Sequence, residues 1–161
     1  MSTAGAPPHT PPRRGPVAAI DPGRSKCGLV VSDPGLTVIR EALVLPPEAA
    51  WDWLLHWQRA TPLSLVVMGD GTGSDRWRRR LGDLVAVELV DERGTTLAAR
   101  RRYWQLFPPR GWRRLLPEGL RQPPRDWDDV VAQLLLERWL GRELPRDPEP
   151  SAARFRTWPA P

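Results

Sequence analysis

The sequence predicts an α/β domain whose sheet combines an antiparallel meander with parallel crossovers. Two observations lead to this prediction. Strand-like segments follow one another at the start of the folded part, separated by the turn signals Pro22-Gly23 and Pro34-Gly35. After them, helix-like and strand-like segments alternate, which is typical of parallel strands joined by helices. We therefore expect a mixed five-stranded sheet, antiparallel in its first three strands, with helices on both faces.

The first strands are predicted from short apolar runs. Residues 17–20 (VAAI) fill a buried strand that ends at Asp21, and residues 27–32 (CGLVVS) resume as its antiparallel partner. Residues 36–44 (LTVIREALV) form the third strand. Pro46 and Pro47 end it, because proline lacks the N–H that the ladder needs.

The later elements alternate between helix and strand. Residues 63–69 (LSLVVMG) form a continuous apolar run, as expected for a strand that helices cover on both faces. Thr95 or Thr96 is expected to cap the helix that follows the last strand. The predicted helices are residues 48–60, 75–84, 95–107 and 126–140, and the predicted strands are residues 63–69 and 86–91.

Length and composition indicate one domain with a basic surface. A chain of 161 residues can bury one core. Residues 1–16 and 145–161 are rich in Pro, Ala and Arg without apolar periodicity, so we expect disordered tails on either side of a domain at residues 17–144. The net charge is +5, and Lys26 is the only lysine. This arginine bias suits a polyanionic partner such as nucleic acid, although a GC-rich genome also produces it.

Several classes of protein are excluded by what the sequence lacks. The single cysteine, Cys27, rules out an internal disulfide and a cysteine-based zinc site, and we expect it to be a small core residue. No segment has the apolar length of a membrane span or a secretory signal, so the expected location is the cytoplasm, with no membrane partner. No segment matches the Walker A pattern. A phosphotransferase of the actin and sugar-kinase type needs two lobes, which this length does not supply.

Carboxylates stand at the ends of predicted elements. Asp21 ends the first strand, Glu92 follows the last strand, and Asp128 lies in the last helix. If the first and last strands run parallel, Asp21 and Glu92 open at the same edge of the sheet, and a helix packed there adds Asp128. Oxygen-rich clusters of this kind hold Mg²⁺ or Mn²⁺, and two such ions about 4 Å apart support phosphodiester hydrolysis. The alternative is that these residues only cap turns and helices.

Four sequence blocks, in this order, resemble the YqgF/RuvX family: IDPGRSKCGLVVSD, VVMGDGTGS, DERGTT and DWDDVVAQLLLERWL. These proteins have a ribonuclease H-like fold and are described as Holliday junction resolvases and as pre-16S rRNA nucleases. The resemblance spans residues 17–140. It implies catalytic and metal-binding roles for Asp21, Glu92 and Asp128, with Asp129 as an alternative metal ligand if the helix register is shifted by one.

The chain looks like a divergent branch of that family. Residues 24–26 (RSK) stand where the family commonly has T-K/R-R, and residues 69–71 (GDG) stand where it has G-L-P. The connector at residues 103–125 is longer than in typical members. These departures leave the carboxylates in place and the substrate open. Asp70 is either a fourth ligand or a turn residue.

Two sets of residues are candidates for phosphate contacts. Residues 69–74 (GDGTGS) form a glycine-rich loop. This loop is either a backbone nest for a phosphate or a strand-to-helix turn that needs glycine. The arginines and aromatic residues near the connector either grip phosphates and stack on bases, or form solvated helix faces with the aromatics in the core; we expect a mixture. The candidate phosphate loop is Gly71, Gly73 and Ser74, and the candidate nucleic-acid contacts are Arg24, Lys26, Arg93, Arg110, Arg113 and Arg114.

Together, the residues and the resemblance predict a Mg²⁺- or Mn²⁺-dependent endonuclease that acts on structured nucleic acid. The resemblance implies processing of the pre-16S rRNA 5′ end or Holliday junction resolution, so the expected partner is structured RNA or branched DNA. Junction cutting would favour a homodimer, whereas RNA trimming needs only a monomer. The alternative is a catalytically inactive nucleic-acid-binding or assembly protein with the same fold.

Overall fold

The computed structural model describes residues 15–148, and its strands form one mixed sheet. Across the sheet, the third strand of the chain lies at one edge, followed by the second, the first, the fourth and the fifth. The first three pair antiparallel, and the fourth and fifth run parallel to the first. This confirms the predicted mixed five-stranded sheet, antiparallel in its first three strands. The strands are β1 (Val17–Asp21), β2 (Cys27–Ser32), β3 (Ile39–Leu45), β4 (Leu65–Gly69) and β5 (Val87–Val90).

The helices follow the predicted order. The helix after β4 ends at Leu81 rather than at residue 84, because Gly82 caps it and the chain turns. Of the helices within residues 15–148, none combines the length and apolar character that a membrane crossing requires. The α-helices are α1 (Pro47–Ala60), α2 (Ser74–Leu81), α3 (Thr95–Leu106) and α4 (Asp128–Leu140), and the connector holds 3₁₀ turns at Gly111–Leu115 and Glu118–Leu120.

The third strand begins at Ile39 rather than at residue 36. The carboxylate of Asp33 accepts hydrogen bonds from the backbone N–H groups of Thr37 at 2.6 Å and Val38 at 2.8 Å. Leu36 within this turn has a φ of 56°, which no strand residue adopts. Asp33 therefore holds the residues between itself and Ile39 in a turn, so β3 begins later than predicted.

Helices cover both faces of the sheet because alternate strand residues point to opposite sides. On one face, Trp53 of α1 and Leu81 of α2 pack in the cluster that holds Ile20 and Leu29. Cys27 belongs to this cluster and is fully buried, which confirms its predicted core position. On the other face, Leu135, Leu136 and Trp139 of α4 pack in the cluster that holds Val17, Ala19, Val30 and Val67.

Helix α3 is held against α4 by a buried ion pair. The guanidinium of Arg102 donates to Glu137 at 2.8 and 3.1 Å. Glu137 also accepts from the side chain of Gln133 at 3.0 Å and from the backbone N–H of Leu144 at 2.9 Å. Each polar group of this pair thus finds a partner away from water, as burial requires.

The described structure includes residues outside both predicted domain boundaries. Ile39 donates its N–H to the carbonyl of Pro145 and accepts from the N–H of Asp147, each at 2.8 Å. At the other end, Ser64 donates to the carbonyl of Pro16 at 2.9 Å. Residues 145–148 thus form a short strap along β3, where the sequence predicted a tail. The remainder of the two predicted tails, residues 1–14 and 149–161, lies outside the described residues.

Candidate active site

Three predicted carboxylates meet at one edge of the sheet. Strands β1 and β5 both run parallel to β4, so Asp21 and the residues after β5 open at the same edge, as expected. There, Asp21, Glu92 and Asp128 line one pocket of about 320 Å³. Lys26, Thr95, Thr96, Asp126, Trp127 and Val131 complete its lining.

Gly28 places Asp128 beside Asp21. In the β1–β2 register, Gly28 lies directly opposite Asp21. A Cβ atom on Gly28 would lie 1.8 Å from the backbone oxygen of Asp128, so no other residue could sit there without moving the start of α4. Because glycine has no side chain, the first turn of α4 rests on the strand next to Asp21.

The glycine-rich loop makes room for the Glu92 carboxylate. A Cβ atom on Gly71 would lie 1.8 Å from Glu92 Oε1, and one on Gly69 would lie 2.5 Å from Glu92 Oε2. The carboxylate thus fills the space that two absent side chains leave. This packing is a third explanation of the loop, beside the phosphate nest and the simple turn.

Hydrogen bonds fix the backbone on either side of Glu92. The N–H of Glu92 donates to Asp70 Oδ1 at 3.1 Å, so Asp70 positions Glu92 and does not line the pocket. The carbonyl of Glu92 accepts from the N–H of Thr95 at 3.0 Å and from its hydroxyl at 2.6 Å. The prediction that Thr95 or Thr96 caps α3 is wrong, because the capping residue is Gly94, at a φ of 67°, and no side chain caps the helix.

The electrostatics of the pocket are dominated by crowded negative charge. Burial, and then the neighbouring charges of Asp128 and Glu92, raise the pKa of Asp21 from 3.8 to about 7. The ammonium of Lys26 lies 2.7 Å from Asp126 and 3.5 Å from Asp128. Within residues 15–148, no salt bridge reaches Asp21. A cation entering beside Asp21 would therefore relieve repulsion that Lys26 leaves in place.

A divalent cation fits the chemistry of these donors. Mg²⁺ and Mn²⁺ prefer carboxylate oxygens, and Asp21, Glu92 and Asp128 supply only such atoms. In the part of the chain that the structure describes, however, no group of three or more His, Cys, Asp or Glu side chains has the arrangement of a formed metal site. The three carboxylates thus share a pocket without forming a coordination shell.

Asp129, the alternative metal ligand, is held elsewhere. It is buried and forms ion pairs with Arg125 and Arg146, each at 2.9 Å. Burial alone would raise the pKa of Asp129, but the hydrogen bond from Arg125 and the charge of Arg146 outweigh burial and lower it. Asp129 does not line the carboxylate pocket. Of the two alternatives, the structure therefore places Asp128 at the pocket.

The arginines of the connector region divide into free and occupied groups. Arg102 pairs with Glu137, Arg125 pairs with Asp129, and Arg121 donates to the carbonyl of Leu116 at 2.8 Å. Tyr103 and Trp104 are buried, whereas Trp112 is 64% exposed. The predicted contacts Arg93, Arg110 and Arg114 are exposed, and Arg113 lies 5.1 Å over the ring of Trp112.

The five remaining predicted contact residues, Gly71, Gly73, Ser74, Arg24 and Lys26, lie in four different surroundings. Gly71 packs against Glu92, and Ser74 is buried. Gly73 lines a second cleft of about 260 Å³ together with Arg24. The fifth residue, Lys26, lines the carboxylate pocket. The predicted phosphate loop is thus spread over several surroundings.

Comparison with known proteins shows no family for this chain and finds distant structural similarity. No protein-family model and no curated protein matches the chain. Among solved structures, it is similar to a Bacteroides thetaiotaomicron protein with an actin-like ATPase fold and unknown function, at 8% identity over 48% of this chain and 33% of that chain (TM-score 0.38). It is also similar to a mutant nuclease domain of the large terminase subunit gp2 of bacterial virus Sf6, crystallised with manganese and beta-thujaplicinol, at 14% identity over 76% of this chain and 70% of that chain (TM-score 0.38). The chain spans about a third of the first protein, and no activity follows from either likeness.

Proposed function

We propose that this protein is a divalent-metal-dependent nuclease that hydrolyses phosphodiester bonds in structured nucleic acid. The observation that carries the proposal is the convergence of Asp21, Glu92 and Asp128 on one pocket, where burial and then the neighbouring carboxylates raise the pKa of Asp21 to about 7. Crowded carboxylates with a shifted pKa are typical of sites that bind cations or transfer protons. If these carboxylates only capped turns and helices, the close packing of Gly28 against Asp128 and of Gly71 against Glu92 would not be needed.

Each side chain has a proposed role. Mg²⁺ or Mn²⁺, held by Asp21, Glu92 and Asp128, would supply the Lewis acidity that activates a water and stabilises the leaving oxygen. Lys26 neutralises Asp126 and the outer side of Asp128. Arg93 follows Glu92 directly, its side chain is 92% exposed, and its guanidinium lies 3.6 Å from Asp91; in this proposal it would turn to hold a phosphate of the substrate.

The exposed basic and aromatic groups of the connector support a nucleic-acid substrate. Trp112 is 64% exposed, and Arg110, Arg113 and Arg114 surround it in sequence. Arginine binds phosphates with paired donors, and exposed tryptophan stacks on unpaired bases. From the resemblance to the YqgF/RuvX family, we propose pre-16S rRNA 5′-end processing or Holliday junction resolution as the specific activity.

A second candidate function is nucleic-acid binding without catalysis. It is favoured by the arrangement of Lys26, whose ammonium already lies beside Asp126 and Asp128. In this alternative, the lysine permanently replaces a metal ion, and the protein acts in assembly.

The two candidates are separated by a cleavage assay. A labelled four-way DNA junction and a precursor 16S rRNA fragment are incubated with Mg²⁺, Mn²⁺ or EDTA. Wild type is compared with Asp21→Asn and with the control Asp83→Asn, which removes an exposed carboxylate outside the pocket. We expect metal-dependent cleavage of one substrate by wild type and the control, and none by Asp21→Asn. Binding of both substrates without cleavage under any metal condition would instead support the second candidate.

A further inference from the structure

The turn between β1 and β2 contributes to two pockets. Its ends, Asp21 and Lys26, line the carboxylate pocket. Its middle, residues 22–24, lines the second cleft, which lies between this turn, the start of α1, the glycine-rich loop and α2. A ligand that reaches from one pocket to the other therefore needs to pass only over this short turn.

Positive charge dominates the second cleft. Arg24, Arg76 and Arg80 line it, and Glu48 is the only carboxylate among the residues that form its wall. Arg80 is already engaged, because both of its terminal nitrogens donate to Glu48 at 2.9 Å and its guanidinium lies 4.1 Å over the ring of Trp51. One arginine is thus neutralised, and the charges of the other two are left for a ligand.

Arg24 and Arg76 are the available donors. Both are exposed, and no salt bridge formed by the described residues uses either of them. The glycine-rich loop lies close to the β1–β2 turn here, since a Cβ atom on Gly73 would lie 4.0 Å from the Cβ of Pro22. Arg24 and Arg76 therefore line the cleft beside the point where this loop approaches the turn.

We propose that this cleft binds a backbone phosphate of the nucleic-acid strand, adjacent along the strand to the phosphate at the carboxylate pocket. The inference rests on the proposed function, and it adds Arg76 and the cleft itself to the residues that hold the substrate. Two unneutralised guanidinium groups suit a phosphodiester, since each presents paired donors to its oxygens. The shared turn, residues 22–24 with Asp21 before it, fixes the spacing between the two phosphates.

The test compares two double variants in the Asp21→Asn background, which prevents cleavage during binding. Arg24→Gln/Arg76→Gln removes the free charges of the cleft. Arg78→Gln/Arg79→Gln is the matched control, because it removes equal charge from exposed positions of α2 that do not line the cleft. Affinity for the labelled junction and the rRNA fragment is measured by fluorescence anisotropy at several KCl concentrations. Thermal unfolding checks that both variants fold.

We expect Arg24→Gln/Arg76→Gln to bind the preferred probe about tenfold more weakly than the control, with the slope of log K against log salt reduced by roughly 1 for each lost phosphate contact. Equal weakening by both double variants would overturn the cleft as a phosphate site. If the cleft variant instead loses affinity for inorganic phosphate or a mononucleotide while binding both probes as the control does, the ligand is a free phosphate compound and the strand proposal is overturned.

The outcomes also separate this inference from the nuclease proposal. If wild type cleaves neither substrate but the cleft variant still binds more weakly than the control, the phosphate site is supported and the nuclease proposal is overturned. If wild type cleaves a substrate and the two double variants bind alike, the nuclease proposal is supported and the phosphate site is overturned.

Discussion

A Cβ atom on Gly71 would lie 1.8 Å from Oε1 of Glu92, closer than any two such atoms approach. Gly71 belongs to the loop after β4, and Glu92 follows β5, so the contact joins the ends of neighbouring parallel strands. Asp70 adds a hydrogen bond to the N–H of Glu92 from the same loop. The glycine-rich loop therefore positions the carboxylate of Glu92 in the pocket.

We expect Gly71→Ala to reduce cleavage strongly while the fold persists. The added methyl group would displace the Glu92 carboxylate, and a misplacement of about 1 Å in a catalytic group can cost about a hundredfold in rate. Single-turnover cleavage and thermal unfolding measure the two effects. Gly119→Ala is the control, because a Cβ atom there meets nothing within 4 Å. Wild-type cleavage by Gly71→Ala would show that the observed position of Glu92 is not needed.

Asp21→Asn should stabilise the metal-free protein at neutral and higher pH. In the folded protein the pKa of Asp21 is raised to about 7, mainly by burial, whereas the unfolded chain releases this proton near 3.8. The folded state thus keeps the Asp21 proton up to a higher pH than the unfolded chain does. The free energy of unfolding therefore falls as pH rises from about 4 to about 7. Asparagine cannot titrate, so the variant lacks this fall.

Denaturant unfolding in EDTA, between pH 4 and pH 8, measures this effect. At about 1.4 kcal/mol per pKa unit, a shift of roughly three units predicts that Asp21→Asn gains up to about 4 kcal/mol over wild type at pH 8 and little at pH 4. Asp83→Asn, which removes an exposed carboxylate, should show the same pH profile as wild type. Parallel profiles for wild type and Asp21→Asn would mean that Asp21 is already ionised in the folded protein at low pH.

Lys26→Met should strengthen the response of the protein to divalent cations. The ammonium of Lys26 lies 2.7 Å from Asp126 and 3.5 Å from Asp128, so it competes with a metal ion for the Asp128 carboxylate. Its removal leaves those charges unneutralised. A ligand that binds the folded state raises its melting temperature. We therefore expect a larger rise in melting temperature with Mg²⁺ or Mn²⁺ than in wild type.

The control for this experiment is Arg24→Gln. It removes the same charge from the same turn, but Arg24 lines the second cleft and not the carboxylate pocket. If Lys26→Met and Arg24→Gln respond alike to the metal, the effect is one of net charge alone, and Lys26 does not compete at the site.

The sequence predicts the order of the elements and the meeting of Asp21 with Glu92, because both depend on local signals. Apolar runs mark the strands, and parallel pairing then brings the ends of β1 and β5 to one edge. The choice between Asp128 and Asp129 needed the structure, since adjacent helix residues differ only in the face that they present. That choice is made by Arg125 and Arg146, which lie on either side of Asp129 in the chain and hold it away.

The roles of the glycines and of the C-terminal strap could not be read from local patterns. Gly28 contacts the backbone of Asp128, a hundred positions further along the chain, and nothing in either segment signals the other. Residues 145–148 contain no apolar periodicity, yet Arg146 reaches Asp129 and Asp147 bonds to the backbone of Ile39. Such contacts depend on the assembled fold, so composition alone predicted a tail.

Arg102→Leu should destabilise the protein far more than a substitution at the neighbouring Arg101. Arg102 is buried and pairs with the equally buried Glu137 at 2.8 Å, so its removal leaves a carboxylate without its charge partner. Breaking a buried pair in this way costs about 3–5 kcal/mol. Arg101 is 73% exposed and lies 4.0 Å from Glu118, which makes Arg101→Leu the matched control, with an expected change below about 1 kcal/mol. Urea unfolding measures both, and Arg102→Leu/Glu137→Leu should recover part of the loss because it removes the orphaned charge. Equal stability of the two single variants would show that the Arg102–Glu137 pair does not hold α3 against α4.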